Sequence, residues 1–211
     1  MNRRIAVLPL TLAAGAAVTV GAGLAAGAGS SQAHRQPAAP ASQSALVKPF
    51  VAYGDHAIYD LVPGGNFTPK TASWSLTGGA QVVTSAAQES LSGSHALSLA
   101  SGSSATSASF PGGGVHTVRF FAQNLGSSAS VLRVSVVADE NGVQTQIPLG
   151  TVRGGSLAPT PVFALPESLQ IAVTQHAEHL RVTLTPVGQN SHWLVKDVYA
   201  DPIYRCGGED C

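Results

Sequence analysis

From about Lys48 onward, apolar and polar residues alternate in short runs, each closed by Gly, Ser, Asn or Pro. Strand side chains alternate between faces, so each run reads as a strand with one buried face. In HTVRFFAQ, Val118, Phe120 and Ala122 lie opposite Thr117, Arg119 and Gln123. In VLRVSVVAD, Leu132, Val134, Val136 and Ala138 oppose Arg133 and Ser135. VQTQIPL sets Val143, Thr145, Ile147 and Leu149 against Gln144 and Gln146, and EHLRVTLT sets Leu180, Val182 and Leu184 against His179, Arg181, Thr183 and Thr185. Leu97 with Leu99, and Ala108 with Phe110, repeat the pattern. Asn141-Gly142 between two runs predicts a two-residue hairpin, because both residues tolerate positive φ. About eight or nine short strands at this spacing predict an all-β domain, an antiparallel β-sandwich of jelly-roll type. The stretch 166–176 reads two ways. It is a strand through Leu169, Ile171 and Val173, or a helix started by Pro166 with Leu165, Leu169, Ala172 or Val173, His176 and Leu180 on one face; the expectation adopted is a strand ending near Thr174.

The alternation is absent before Lys48. Arg3 and Arg4 precede an uncharged Ala/Gly/Val/Leu stretch, and Ser31-Gln32-Ala33 supplies a small-x-small cleavage site, so residues 1–33 read as a secretory signal peptide. The apolar stretch is long enough to cross a bilayer, but it is poor in bulky residues and no basic cluster follows it. Cleavage, with no membrane span afterwards, is the expectation. Residues 34–47 form a Pro/Ala/Ser linker, 48–205 the sandwich and 206–211 a tail.

Charge narrows the partners. The 211-residue chain has 11 Lys/Arg and 11 Asp/Glu; without Arg3 and Arg4 the balance is 9 to 11, near −2. No basic cluster exists to track phosphates, which argues against nucleic acid. Cys206 and Cys211 are the only cysteines, and an oxidising compartment permits a disulfide around CGGEDC.

The runs KPFVAYGDHAIYDLVPGGNF, SWSLTGGAQVV, HALSLASGSSATS, RFFAQNLGSS, IPLGTV and WLVKDVYADP resemble a group of uncharacterised secreted actinobacterial proteins. More distantly, the frame from Pro49 to Arg205 resembles jelly-roll carbohydrate-binding modules, with their "LVPxGxFE" entry and "W-x-IDDV" closing strand. Such modules often hold a structural calcium between the entry Glu and a closing Asp. Here Thr68 replaces that Glu and Lys196 the first Asp, leaving Asp197 as the single candidate metal ligand for an ion that wants six to eight oxygens. No resident cofactor is expected, since Asp197 alone is a poor start for a structural calcium.

Catalytic constellations are missing from the sequence. His176-Ala177-Glu178-His179 fits neither zincin order, no Gly-x-Ser-x-Gly elbow occurs, and adjacent Ser94 and His95 would face opposite sides of a strand. The Gly112-Gly113-Gly114 run precedes no phosphate-binding helix. Trp74 and Trp193 occupy positions that are usually core in the modules. Tyr53, Tyr59, Tyr199 and Tyr204 form either a stacking patch or a seal over the end of the sandwich, the seal being the reading adopted. The expectation is therefore an exported, monomeric, non-catalytic binding module for polysaccharide or cell-wall glycan. The alternative is a secreted structural or surface-interaction protein without sugar affinity.

Overall fold

The computed structural model describes residues 46–69, 73–85, 93–140, 142–169 and 179–202. Residues 1–45, with the expected signal and most of the linker, lie outside the described residues, as do Cys206, Cys211, Tyr204 and His176. No helix among the described residues is long and apolar enough to cross a membrane.

A 3-10 turn at Val51–Tyr53 precedes thirteen described strands. They are β1 (Asp60–Leu61), β2 (Ser75–Thr77), β3 (Gln81–Thr84), β4 (His95–Ala100), β5 (Ser104–Thr106), β6 (Phe110–Pro111) and β7 (Val115–Asn124). After these come β8 (Val131–Glu140), β9 (Val143–Val152), β10 (Ala158–Pro159), β11 (Phe163–Ala164), β12 (His179–Val187) and β13 (His192–Pro202). The strands make two antiparallel sheets, a β-sandwich of the expected class. One runs β10-β7-β13-β4-β3, with β1 added to β13 and β11 to β7; the other runs β2-β5-β12-β8-β9, with β6 added to β12.

Parity decides the core. Val118, Phe120 and Ala122 of β7, Trp193, Val195 and Val198 of β13, and Leu97 and Leu99 of β4 are buried against the second sheet. That sheet supplies Leu132, Val134, Val136 and Ala138 of β8 and Leu180, Val182 and Leu184 of β12. Trp74 and Trp193 are both core residues. The Trp193 indole N–H finds no hydrogen-bond partner among the described residues, a cost its buried area must outweigh.

The hairpin forms as the sequence predicts: Glu140 pairs with Val143, and Gly142 has a φ of 85°. Three expectations are corrected. Residues 167–169 are helical, with the Leu169 N–H bonded to the Pro166 carbonyl at 2.9 Å, so this part of the ambiguous stretch is not strand. Pro166 stands directly before the helical residues, and Leu165 and Leu169 are both buried in the core, Leu165 from the preceding extended segment, where its N–H bonds to the His116 carbonyl at 2.8 Å. Ala108 is not an inward strand residue. It lies in the break between β5 and β6, where the Ser107 hydroxyl accepts the Val182 N–H at 2.9 Å. In β9 the pairing shifts between Val134–Gly150 and Ser135–Pro148, placing a bulge at Leu149. Ile147 and Leu149 are half-buried and pack against the core as the alternation predicts, whereas Thr145 is exposed and Val143 is 67% exposed.

Candidate functional site

Each sheet has one face turned away from the core, and the two differ in what covers them. Residues 46–59 form a strap across the outer face of the β7–β13 sheet. Phe50 and Tyr59 of the strap pack with Phe121 of β7 and Tyr199 of β13 into a separate buried cluster. The Phe50 ring lies 5.2 Å from Phe121 and edge-on to Tyr59 and Tyr199 at 5.1 and 5.7 Å. The Arg119 guanidinium stands 4.4 Å over the same ring, pairs with Asp55 and donates from Nε to the Thr160 carbonyl at 2.9 Å. The Tyr59 hydroxyl donates to Asp55 at 2.7 Å. The tyrosine seal is thus real for Tyr59 and Tyr199, but it lies on a sheet face and not at the sandwich end. Tyr53 stays 47% exposed, edge-on to Phe121.

This network shifts its own titrations. Burial opposes the Asp55 charge, but bonds from Tyr59 and the Ala57 N–H, with the Arg119 guanidinium, hold its carboxyl below the usual carboxylate range. Burial, then the Asp55 charge, pushes the Tyr59 phenol up to about 12. Asp201 moves the other way: burial raises it, His116 opposes that, and Asp55 adds to it. Two carboxyls displaced in opposite directions are the pattern of an acid–base pair. Here, however, Asp55 belongs to the strap itself and is committed to Tyr59 within it and to Arg119 of the sheet below, so the pattern is that of a structural clasp.

Asp197 is buried in the bulge between Lys196 and Tyr199, at a φ of 49°. The entry loop closes beside it: the Val198 N–H bonds to the Gly65 carbonyl at 3.1 Å, and a Cβ on Gly65 would come within 2.5 Å of the Val198 carbonyl oxygen. That contact requires glycine. At the entry, the Asn66 side chain accepts from the Thr68 N–H and hydroxyl, an Asx-type turn. Among the described residues no three His, Cys, Asp or Glu side chains come together as a metal site. Among the described residues the histidines form no catalytic set either. His179 sits opposite Asp139 on the surface of β12. His192 Nε2 lies 3.1 Å from the Ser98 hydroxyl, a pair the sequence does not reveal, with no carboxylate bonded to His192 among the described residues.

The outer face of the six-stranded sheet is polar and only partly open: Thr183 and Ser135 are buried, whereas the residues towards its margins are exposed or half-buried. Strand pairing aligns its residues into rows across the sheet. One row runs Thr77, Ser104, Thr185, Arg133 and Thr151. The next runs Ser75, Thr106, Thr183 and Ser135 and ends at Pro148. Neighbouring strands stand about 4.8 Å apart, so each row is a line of closely spaced donors and acceptors. Hydroxyl pairs Ser104–Thr185 and Thr106–Thr183, at 3.3 and 3.1 Å, order the rows. The Gln146 amide donates to the Ser135 hydroxyl at 2.8 Å. Ser75, Thr77, Arg133, Gln144, Gln146 and Thr151 are exposed. No Phe, Tyr or Trp ring stands on this face among the described residues.

No protein-family model and no curated protein matches the chain. Solved structures do resemble it. The C-terminal family 22 carbohydrate-binding module of Clostridium thermocellum Xyn10B is 15% identical at a TM-score of 0.45, with 66% of this chain and 92% of that one covered. TmCBM61, solved in complex with β-1,4-galactotriose, is 15% identical at a TM-score of 0.40, over 65% of this chain and 91% of that one. The enzymatically active domain of bacteriophage CBA120 tailspike protein 4 is 17% identical at 0.46, over 66% of this chain and 21% of that one. Likeness at this level carries no residue roles to this chain.

Proposed function

We propose that this domain is the non-catalytic binding module of an exported protein, and that it holds an extended polysaccharide across the polar outer face of the six-stranded sheet. The observation that supports this reading is the cross-strand row Thr77, Ser104, Thr185, Arg133 and Thr151, whose members are all exposed or half-buried, with the exposed Gln144 and Gln146 amides beside it. A polysaccharide presents repeating hydroxyls that both donate and accept, and Ser and Thr answer both roles. With no Phe, Tyr or Trp ring to stack on, each contact contributes only about 0.5–1.5 kcal/mol net, so binding depends on many sugars at once. Long or insoluble chains should bind while mono- and disaccharides should not.

Retention on a panel of insoluble polysaccharides and cell-wall preparations tests this directly. Replacing Thr185 by Val and Arg133 by Ala together removes two neighbouring members of the most accessible row. The double variant should fold normally and lose about tenfold or more in retention. An unchanged retention, or a wild-type protein that no glycan holds, removes the proposal. The alternative, a secreted interaction protein without sugar affinity, is favoured by one observation: both tryptophans are core residues. Capture of a protein partner with a blank glycan panel would establish it.

A further inference from the structure

The edges of the two sheets are unequal. Among the described residues, the edge strands β2, β3, β6, β10 and β11 have four residues or fewer, whereas β9 has ten. β9 pairs with β8 along one side, and no described strand pairs with its other side. A long open edge is a template for another strand unless charge, proline or a bulge guards it. Pro148 and the bulge at Leu149 guard the second half. The first half, Val143 to Ile147, has no charge, no proline and no bulge, and residues 143–146 are exposed.

This unguarded half is self-complementary. Read antiparallel about Thr145, the sequence Val-Gln-Thr-Gln-Ile sets Val143 opposite Ile147 and Gln144 opposite Gln146. The hydrogen-bond phase agrees. Glu140 and Val143 flank a two-residue turn and so form a hydrogen-bonded pair, after which the phase alternates. Gln144 and Gln146, opposite Asp139 and Val137, therefore turn their backbone N–H and C=O groups away from β8. We propose that β9 is a homodimer seam, in which two copies pair antiparallel about a two-fold axis at Thr145. Each Gln144 meets Gln146 of the second copy as a hydrogen-bonded pair that exchanges both backbone bonds. Val143 packs on Ile147 across the seam, and Thr145 meets its own copy. Pro148 offers no N–H, so the ladder stops there.

Five residues bury far less than the roughly 1,200 Å² of a standard interface, which places the dimer in the weak, transient class. The monomer expected from the sequence is then the dilute form. The test is sedimentation velocity of the exported chain from ~10 μM to ~1 mM, the range that weak class requires. The wild type should shift from monomer towards dimer. Thr145→Lys sets like charges directly opposite on the axis and should keep the protein monomeric throughout, with an unchanged melting temperature. Thr145→Glu should do the same. An equimolar mixture of the two should associate again, and added salt should weaken it. Wild-type protein that stays monomeric to the top concentration overturns the proposal. So does a Lys variant that associates like the wild type, or a mixture that does not associate. No glycan enters these measurements, so they stand apart from the binding function.

Discussion

Asp55 and Asp201 are close enough to influence one another, yet their surroundings push them apart. Asp55 has a depressed folded-state pKa, so its contribution to stability is present above the unfolded value near 3.8 and is lost as pH falls through the folded value. Replacing it by Asn removes the charge that pairs with Arg119 and leaves one acceptor oxygen where Ala57, Tyr59 and Arg119 now share two, and should cost about 2 kcal/mol at neutral pH. That gap should close in urea titrations carried out well below pH 3.8. Asp201 has the opposite sign. Its raised pKa means that the ionised form strains the fold, so Asp201→Asn should be neutral or stabilising at pH 7, and the difference should vanish once the wild-type group is protonated. A D55N protein as stable as wild type at neutral pH would show that the clasp contributes nothing.

At the scale of elements, the strap is an unusual attachment. Its backbone hydrogen bonds, such as Val47 with Tyr59 and Tyr53 with Phe50, are internal. Among the described residues the chain first joins the sheet at β1, through Asp60 opposite Ala200. Side chains fix residues 46–59 to the sheet, with Phe50 at their centre. Phe50→Ala should therefore lose about 3–4 kcal/mol. Limited proteolysis should then cut first near Val51–Tyr53 while the sandwich persists, and cleavage that begins in the sandwich would argue against a separable strap. The strap shows where sequence reading stops. Val118, Phe120, Leu132 and Val182 announce their inward face by alternation, since a period of two needs only neighbours along the chain. Phe50 and Tyr59 carry no such period, because their partners Phe121 and Tyr199 lie far along the sequence. Residues 167–169 were ambiguous for a related reason: a short apolar run fits either period, and only the docking of Leu165 and Leu169 selects the helix. The polar face was half legible. Arg133, Ser135, Arg181, Thr183 and Thr185 stand out as the polar half of their runs, whereas the strand order that joins them into rows does not.

At the scale of the whole molecule, the polar face and the β9 edge belong to the same sheet. Gln144 and Gln146 present side chains to the polar face and backbone groups to the edge. Pairing two copies along β9 would extend the sheet without a step, so the hydroxyl rows of both copies would face the same way. A polysaccharide long enough to cross the seam would engage both, and the second engagement would be intramolecular, with a gain that depends on local concentration and not on new contacts. The two proposals together predict a specific isotherm on insoluble glycan. Wild-type protein should bind more steeply than a single-site curve as its concentration enters the dimer range. Thr145→Lys should share the initial slope and then follow the single-site curve. Thr185→Val with Arg133→Ala should lower the initial slope itself. If the Lys variant traces the wild-type isotherm at every concentration, the two faces do not cooperate, even where each site survives its own test.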